Sequence, residues 1–479
     1  MNKSFDFGMI GIGVMGSNLL LNMADNGFSV IGYDLKQERA DKLEEAASEG
    51  TVVKGTTDIS VMVQSLKTPR KIMMLVPAGK PVDDVIQTLV PHLEKGDILI
   101  DGGNSFYRDT QRRVDALQPQ GIHFFGMGVS GGEAGARFGP SMMPGGDKAA
   151  YEYLRPILEA IAAKADGHPC VDYVGNGAAG HYVKMVHNGI EYAMMQLISE
   201  AYDILKRGGG FSNEDLHAVF ARWNKGSLQS FLIEITAEIF RTLDVEKPDE
   251  KHYLVDAILD KAGSKGTGKW TSQDALNLGV PIPTIDAAVA ARSLSAYKQE
   301  RMQAGELYKP AVTKLKFSAK ELEAALEETL GFCFVMAYAQ GLSLLVSASQ
   351  EYSMQIPLAN VVRIWKGGCI IRSLLLYDFD KIFRSNPELS NVLLDKTMAG
   401  FLQDKETSTR KVIALAAQAG IPVGAMGSAL AYFDAFSTSR LPVNLIQAQR
   451  DFFGAHTYQR IDREGVFHTE WNSDTTEQP

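Results

Sequence analysis

The chain opens with short apolar runs separated by glycine-rich breaks. FDFGMIGIGVMGSNLLLNMADNGFSVIGYD reads as a strand, a tight glycine turn, a helix and a second strand. Three further runs carry the strand signature: KIMMLVPAG (71–79), GDILIDGGN (96–104) and HFFGMGVSGG (123–132). Each ends in glycine or small residues, which suits ligand contact at the carboxyl edge of a parallel sheet. From about Ala179 this alternation stops. HYVKMVHNGIEYAMMQLISEAYDILKR and KELEAALEETLGFCFVMAYAQGLSLLVSASQ have helical apolar spacing and few breakers, and the second has so little polar surface at its centre that burial on most sides is expected. Trp223-x-x-Gly226 and Trp365-x-x-Gly368 each follow a long helix and an arginine, a faint echo that marks either a duplicated helical unit or chance. After about Leu441 the chain turns polar and irregular. The pattern predicts an α/β Rossmann-type N-terminal domain (1–178), a large all-α domain (179–438) and a C-terminal tail (439–479) that docks on a neighbouring subunit or is partly disordered.

Gly11, Gly13 and Gly16 form G-x-G-x-x-G where the first strand hands over to the first helix. The first glycine allows the turn, the second lets a pyrophosphate approach the backbone, and the third permits close helix–sheet contact. The helix N-terminus then faces the phosphates. The motif alone is weak, but a strand before it, a helix after it and an acid at the end of the second strand predict a dinucleotide site. That acid is Asp34, in GYDLKQE. A carboxylate there accepts the ribose hydroxyls of NAD and repels the 2′-phosphate of NADP; the plainer alternative is a solvated turn aspartate.

KMVHNGIEY holds Lys184, His187, Asn188, Glu191 and Tyr192 within an arc of about 140° on one helix, while Met185, Val186 and Ile190 face elsewhere. A mixed stripe is usually a solvated face. Against that, Asn188-Gly189 in a helix interior costs about 1 kcal/mol in propensity, and His, Asn and Tyr are poor choices for a face that only meets water. The stripe therefore reads as one wall of an active site. A dehydrogenase acting on an alcohol needs a group to take the hydroxyl proton as hydride leaves, and a lysine serves if its pKa is lowered toward neutrality. Glu191 offers a second proton transfer, which implies more than a single hydride step.

Composition narrows the rest. At 479 residues the chain is too long for one core. Its 45% hydrophobic and 22% charged residues are ordinary for a soluble enzyme. The net charge of -9 argues against nucleic-acid binding, so an anionic ligand needs a local basic cluster. KGTGKW (265–270), with Lys265, Thr267 and Lys269, is suited to cradle a phosphate, although such loops are more often flexible surface turns. Arg292 on a probable helix has a salt bridge as its default role, and Arg450 and His456 could equally be structural contacts of the tail. Cys170, Cys333 and Cys369 show no metal-ligand spacing and read as reduced thiols. With no signal peptide and no stretch approaching ~20 uninterrupted apolar residues, a cytoplasmic protein without membrane contact is expected.

Together KMVHNGIEY, KGTGKW, DGGNS (101–105), SGGEAGARFGPSMMPGG (130–146), RIWKGGCIIRS and RDFFGAHTY resemble decarboxylating 6-phosphogluconate dehydrogenase, in motif order from the first strand to the tail. The resemblance implies conversion of 6-phosphogluconate to ribulose 5-phosphate and CO2 in the pentose phosphate pathway and gluconate utilization, with reduction of a nicotinamide cofactor and no metal. It implies that Lys184 takes the C3 hydroxyl proton and later polarises the ketone, and that Glu191 protonates C1 of the enediol. Asn104, Ser130, Gly131, Gly132, His187 and Asn188 then match positions that hold the substrate's carboxylate and hydroxyls. Tyr192, Lys265, Thr267, Arg292 and Arg450 match those around its phosphate. The cofactor would lie along Gly11, Ile12, Gly13, Val14, Met15 and Gly16, against Asp34, Leu35 and Lys36, and against Val76, Pro77, Ala78 and Asn104. Arg450 and His456 would come from the partner subunit of a homodimer.

The departures bear on the cofactor. NADP-using members of that family carry an asparagine–arginine pair where this chain has Asp34-Leu35, and a lysine where it has Pro77. NAD is therefore expected to be preferred, with NADP possible because Lys36 could still reach a 2′-phosphate. Two competing functions remain at this stage: a 3-hydroxyacid dehydrogenase that does not decarboxylate, and a non-catalytic dinucleotide-binding protein on the same fold.

Overall fold

The structure is a computed structural model and describes residues 4–247 and 251–471. Seven strands form one sheet: β1 (Phe7–Ile10), β2 (Val30–Tyr33), β3 (Val53–Thr56), β4 (Lys71–Met74), β5 (Ile98–Asp101), β6 (His123–Ser130) and β7 (Ser141–Gly145). Their order is β3-β2-β1-β4-β5-β6-β7. β1 to β6 are parallel, and β7 lies antiparallel to β6, from Gly126 opposite Gly145 to Ser130 opposite Ser141. The strand order reverses between β1 and β4, and at that switch point ligands bind beyond the carboxyl ends of the strands. One face is covered by the helices Val14–Asp25 and Lys148–Ile161, through residues such as Leu19, Leu20, Tyr151 and Leu154. The other carries Met62, Val63, Leu89 and Leu117. The expected fold class, a Rossmann-type sheet domain followed by a large helical region, is what the chain adopts.

The central helix, Ala179–Asp203, lies directly on β6 and β7. Glycines make that approach possible. A Cβ on Gly180 would stand 1.9 Å from the Gly126 carbonyl oxygen, and one on Gly128 would stand 2.3 Å from the Lys184 Cβ. Glycines two residues apart in β6 thus open one face of the strand to the helix. The core helix, Ala319–Glu351, starts at a Ser318–Glu321 capping box and packs on both the central helix and the helix Lys396–Gln418. Among the described residues it alone is long and apolar enough to cross a membrane, but its apolar stretch is buried inside the protein.

The tryptophan echo has a physical meeting point. Trp223 and Trp365 are both fully buried, and the chain segments that follow them join in an antiparallel bridge between Ser230 and Ser373. Farther along, Glu200 on the central helix accepts the N–H groups of Ala425 (2.8 Å) and Met426 (2.9 Å) at the start of the helix Gly424–Ser437.

Two compact units divide the chain, Met1–Ala429 and Leu430–Pro479, and the division falls inside the helix Gly424–Ser437. The irregularity expected after Leu441 does not hold throughout: Asn444–Gly454 is a helix, and Tyr458 bridges Phe467. Asp451 gathers this unit by accepting hydrogen bonds from the Thr457 and Thr469 N–H groups, the Trp471 indole and the His468 ring. The closing TTEQP lies outside the described residues.

Candidate active site

The glycine turn after β1 is built by close approach. Gly11 has φ +87°, and a Cβ there would stand 2.5 Å from the Leu75 carbonyl oxygen at the end of β4. A Cβ on Gly16 would stand 2.1 Å from the Gly11 carbonyl oxygen, so the first helix is pressed against its own turn. Gly13 is different: its Cβ would meet nothing within 4 Å among the described residues. It caps the helix Val14–Asp25, whose first N–H groups take no side-chain cap among the described residues. That is what a pyrophosphate at a helix N-terminus requires. Ile12 is buried, Met15 is half-buried, and Val14 and Leu35 are exposed beside the turn.

Asp34 follows β2 and is buried. Its carboxylate accepts the Lys36 N–H at 3.1 Å and the Arg39 guanidinium at 3.0 Å. Arg39 is therefore a local cation in addition to Lys36, the one expected from the sequence. An arginine in the first turn of a helix entered from an aspartate-ended strand was the available signal. Val76 touches the glycine turn, and Pro77 and Ala78 lie exposed on the same loop after β4. Arg113 ties this loop to the next by donating to the Gly79 carbonyl (3.0 Å), Asp83 (2.8 Å) and Asp101 (3.3 Å). Asp101 in turn accepts the Gly103 N–H and the Ser105 hydroxyl, which shapes the loop that presents Asn104.

The stripe on the central helix is not a solvated face. Lys184 is 7% exposed and His187 0%. His187 Nδ1 lies 3.4 Å from Lys184 Nζ and 3.1 Å from Asn188 Oδ1, and its Nε2 lies 3.4 Å from the Ser130 hydroxyl. Trp365 packs edge-on against the imidazole at 5.6 Å. Gly131 passes so close to Gly368 that a Cβ would stand 2.6 Å from its carbonyl oxygen, whereas a Cβ on Gly132 would meet open space among the described residues. RIWKGGC thus backs both His187 and the SGG loop, a part that its spacing in the chain does not reveal.

Burial lowers the lysine's pKa from its ordinary value, with the Glu191 carboxylate pulling the other way. Glu191 is pushed upward by burial, opposed by Lys184 and Arg292. His187 is held well below its usual range by burial and by any charge on Lys184, which favours the neutral imidazole. A base made easier to deprotonate thus sits on one stripe with an acid made harder to ionise, and this is how environments assign acid and base roles.

Asn104, Asn188, Glu191, Tyr192, Lys265, Thr267 and Arg292 line one cavity of about 550 Å³, together with Gly263 and Ser264, which the sequence argument did not single out. Its basic end is assembled tightly. The Arg292 guanidinium stacks 3.5 Å above the Tyr192 ring, and Tyr192 leans on Gly268, where a Cβ would stand 2.6 Å from the ring. Arg292 makes no ion-pair contact with a carboxylate among the described residues, although its charge acts on Glu191; its guanidinium instead reaches the Gly263 carbonyl and the Met195 sulfur. Thr267 opens the helix Thr267–Leu278, whose N-cap Gly266 leaves the first N–H groups without a side-chain cap. Cation, hydroxyl and helix N-terminus converge as a phosphate site demands. Lys269 is exposed and does not line this cavity. Arg450 and His456 belong to the second compact unit, where both are exposed; Arg450 donates to Gln447 and His456 packs on Phe453.

A switch-point glycine turn with room for a pyrophosphate, joined to a buried lysine–carboxylate stripe, defines a dinucleotide-dependent dehydrogenase. Known proteins make the assignment specific. Residues 6–175 match the model for the NAD binding domain of 6-phosphogluconate dehydrogenase, and residues 180–471 match that for the 6-phosphogluconate dehydrogenase C-terminal domain. The 6-phosphogluconate dehydrogenase of Bacillus subtilis (strain 168), described as NADP(+)-dependent and decarboxylating, is 53% identical over 97% of this chain and 98% of its own. A decarboxylating 6-phosphogluconate dehydrogenase of Lactococcus lactis is 48% identical, with the same coverage. The structure of Plasmodium falciparum 6-phosphogluconate dehydrogenase, studied with its cofactor NADP+ and its substrate 6-phosphogluconate, superposes with a TM-score of 0.93 at 43% identity, covering 97% of this chain and 100% of that one. The chain belongs to the 6-phosphogluconate dehydrogenase family, as its motifs led one to expect.

Proposed function

We propose that this chain oxidises and decarboxylates 6-phospho-D-gluconate to D-ribulose 5-phosphate and CO2, as an enzyme of the pentose phosphate pathway and gluconate utilization. The carrying observation is one helix stripe on which buried Lys184 lies beside Asn188, Glu191 and Tyr192, the last three lining a cavity together with Lys265, Thr267 and Arg292. The bound nicotinamide supplies the hydride acceptor. Neutral Lys184 takes the C3 hydroxyl proton as the C3 hydride leaves, forming the 3-keto acid. The lysine then returns that proton to the ketone oxygen while the C1–C2 bond breaks, CO2 departs and the electron pair forms the enediol. Glu191 protonates the former C2, now C1 of the product, and Lys184 recovers the hydroxyl proton as the ketone forms. Neutral His187 holds a substrate hydroxyl without competing for these protons, with Ser130, Gly131, Gly132, Asn104 and Asn188 around it. Assays of CO2 and ribulose 5-phosphate against reduced cofactor test this. Oxidation without CO2 would leave a simple 3-hydroxyacid dehydrogenase, and binding without turnover would leave a non-catalytic protein.

NAD is proposed as the preferred cofactor. Asp34 stands at the ribose end of β2, and Pro77 offers no cation from the loop after β4. Arg39, however, pairs with Asp34 and brings a second cation beside Lys36 to this end of the sheet, so the comparison with NADP must include it. Comparing kcat/KM for the two cofactors in the wild type and in Arg39→Ala decides the matter. An NADP advantage lost in Arg39→Ala would overturn the assignment to Asp34.

The homodimer with Arg450 and His456 supplied in trans is proposed on the uncovered apolar side chains of the helix Asn444–Gly454. Leu445, Ile446, Phe452 and Phe453 are all more than half exposed. A subunit contact is the ordinary fate of such a face. Mixing inactive Lys184→Ala and Arg450→Ala chains should restore about a quarter of wild-type activity, because half the random dimers carry one intact site. No recovery would place Arg450 in its own subunit's site, and an Arg450→Ala chain that is active by itself would place it in none.

A further inference from the structure

Four chain segments remote in sequence meet at one buried carboxylate that the proposed mechanism does not use. Asp274, 2% exposed, sits on the helix Thr267–Leu278. Its Oδ1 accepts the Tyr107 hydroxyl at 2.6 Å and the Tyr352 hydroxyl at 3.0 Å, and its Oδ2 accepts the Tyr182 hydroxyl at 2.7 Å. Asn277 reaches Oδ1 at 3.5 Å, and an Arg108 nitrogen lies 3.6 Å away while its Nε donates to the Tyr107 oxygen at 2.9 Å. The three rings also touch one another, with centroids 4.9, 5.6 and 6.0 Å apart.

We propose that Asp274 is a positioning residue that keeps the Asn104 loop in register with the Lys265–Thr267 loop. Tyr107 begins its helix three residues after Asn104, and Asp274 lies seven residues after Thr267 on one continuous helix. Both loops line the same cavity, one offered by the sheet domain and the other by the helical region. A second tie runs in parallel, because Phe106 packs against Trp270 in a tilted pair with ring centroids 5.0 Å apart. A third joins the same helix to the stripe, as the Thr271 hydroxyl donates to the Met185 carbonyl at 2.9 Å. A buried charge costs desolvation energy that apolar packing would avoid. What a fully satisfied polar node offers in return is a single geometry, since phenol hydroxyls reach the carboxylate at one separation only.

This inference rests on the substrate assignment above, and its test separates the two. In Asp274→Asn, calorimetry gives the folded fraction, titration calorimetry gives the Kd of 6-phosphogluconate without cofactor, and kinetics give KM and the deuterium isotope effect for substrate labelled at C3. The expected result is a folded protein with Kd and KM for 6-phosphogluconate raised about tenfold, a larger isotope effect on kcat, and a cofactor KM changed less than about twofold. Activity that falls only with the folded fraction, at unchanged Kd, KM and isotope effect, overturns the proposal. Tyr352→Phe leaves the carboxylate and two phenols in place and serves if Asp274→Asn does not fold; a smaller shift in the same direction is expected. Hydrogen exchange without substrate reads the node even if 6-phosphogluconate is not the ligand. Faster exchange in residues 102–106 and 263–270 supports the proposal, and unchanged exchange in both overturns it.

Discussion

Gly268→Ala tests how the basic end of the cavity is built. The new methyl would stand 2.6 Å from two atoms of the Tyr192 ring, so the ring must recede by about 0.8 Å to regain the ordinary 3.4 Å contact. It cannot recede freely, because the Arg292 guanidinium lies 3.5 Å from its centre on a stack that would have to move with it. Overpacking of this kind costs about 1–3 kcal/mol of stability. A disturbed cation–π stack forfeits about 0.5–2 kcal/mol, and misplacing Arg292 weakens the grip on a phosphate by a similar amount. Binding weaker by about 0.5–2 kcal/mol corresponds to a 6-phosphogluconate KM raised roughly 2- to 30-fold. The glycine turn after β1 is untouched, so the cofactor KM should move less than about twofold. Steady-state kinetics with each substrate varied in turn, beside a thermal melt, read all three quantities. A folded variant whose 6-phosphogluconate KM is unchanged would refute the placement of Tyr192 and Arg292 at the phosphate.

Glu191→Gln should lower kcat by about 10²- to 10⁴-fold while leaving hydride transfer possible, so rapid mixing should show one equivalent of reduced cofactor before slow turnover; a loss of the burst would place Glu191 before the oxidation. Gly16→Ala should destabilise the protein by several kcal/mol, on the order of a severe core clash, whereas Gly13→Ala should leave its melting temperature almost unchanged, because only the first methyl meets backbone. Equal melts for the two would contradict the account of the turn. The second compact unit should loosen in acid: desolvation would raise the Asp451 carboxyl, but hydrogen bonds from His468, Trp471, Thr469 and Thr457 outweigh it and hold the pKa down to about 2. A depressed carboxyl stabilises above its unfolded pKa of about 3.9 and loses that contribution as the pH falls through its folded value, so Trp471 fluorescence should change between about pH 4 and 2. Asp451→Asn should show the acid spectrum already at neutral pH; an unchanged neutral spectrum would count against this role.

What was legible in the chain was what is local. Apolar runs broken by glycine announced β1, β4, β5 and β6, and helical spacing announced the central and core helices. SMMPG was harder, since two methionines and a proline hardly advertise a strand, and β7 exists by pairing with β6. Glycines were legible as punctuation but not as packing. Gly126 and Gly128 seat a helix on the sheet, and Gly189, taken as a cost that signalled function, also makes room for Thr271, which a Cβ would meet at 2.7 Å. The Lys184 stripe could be found by angle alone. Its neighbours Trp365, Gly263 and Ser264 could not, because no periodicity connects residues so far apart. The helix Asn444–Gly454 did leave a signal that went unread, in apolar pairs at 445–446 and 452–453, one heptad apart.

The central helix runs unbroken for 25 residues, about 37 Å, from Ala179 to Asp203. Lys184, Glu191 and Glu200 ride on it as on a single shaft. Deleting one residue between Lys184 and Glu191 would swing everything beyond by about 100° and draw it back by about 1.5 Å, taking the acid away from the base and the Glu200 carboxylate away from the start of the next helix. Replacing a side chain on this shaft alters one contact, whereas changing its length mis-phases all of them. Insertions and deletions should therefore be barred from this stretch far more strictly than substitutions, and a library of single-residue indels should show a sharply bounded intolerant zone from 184 to 200.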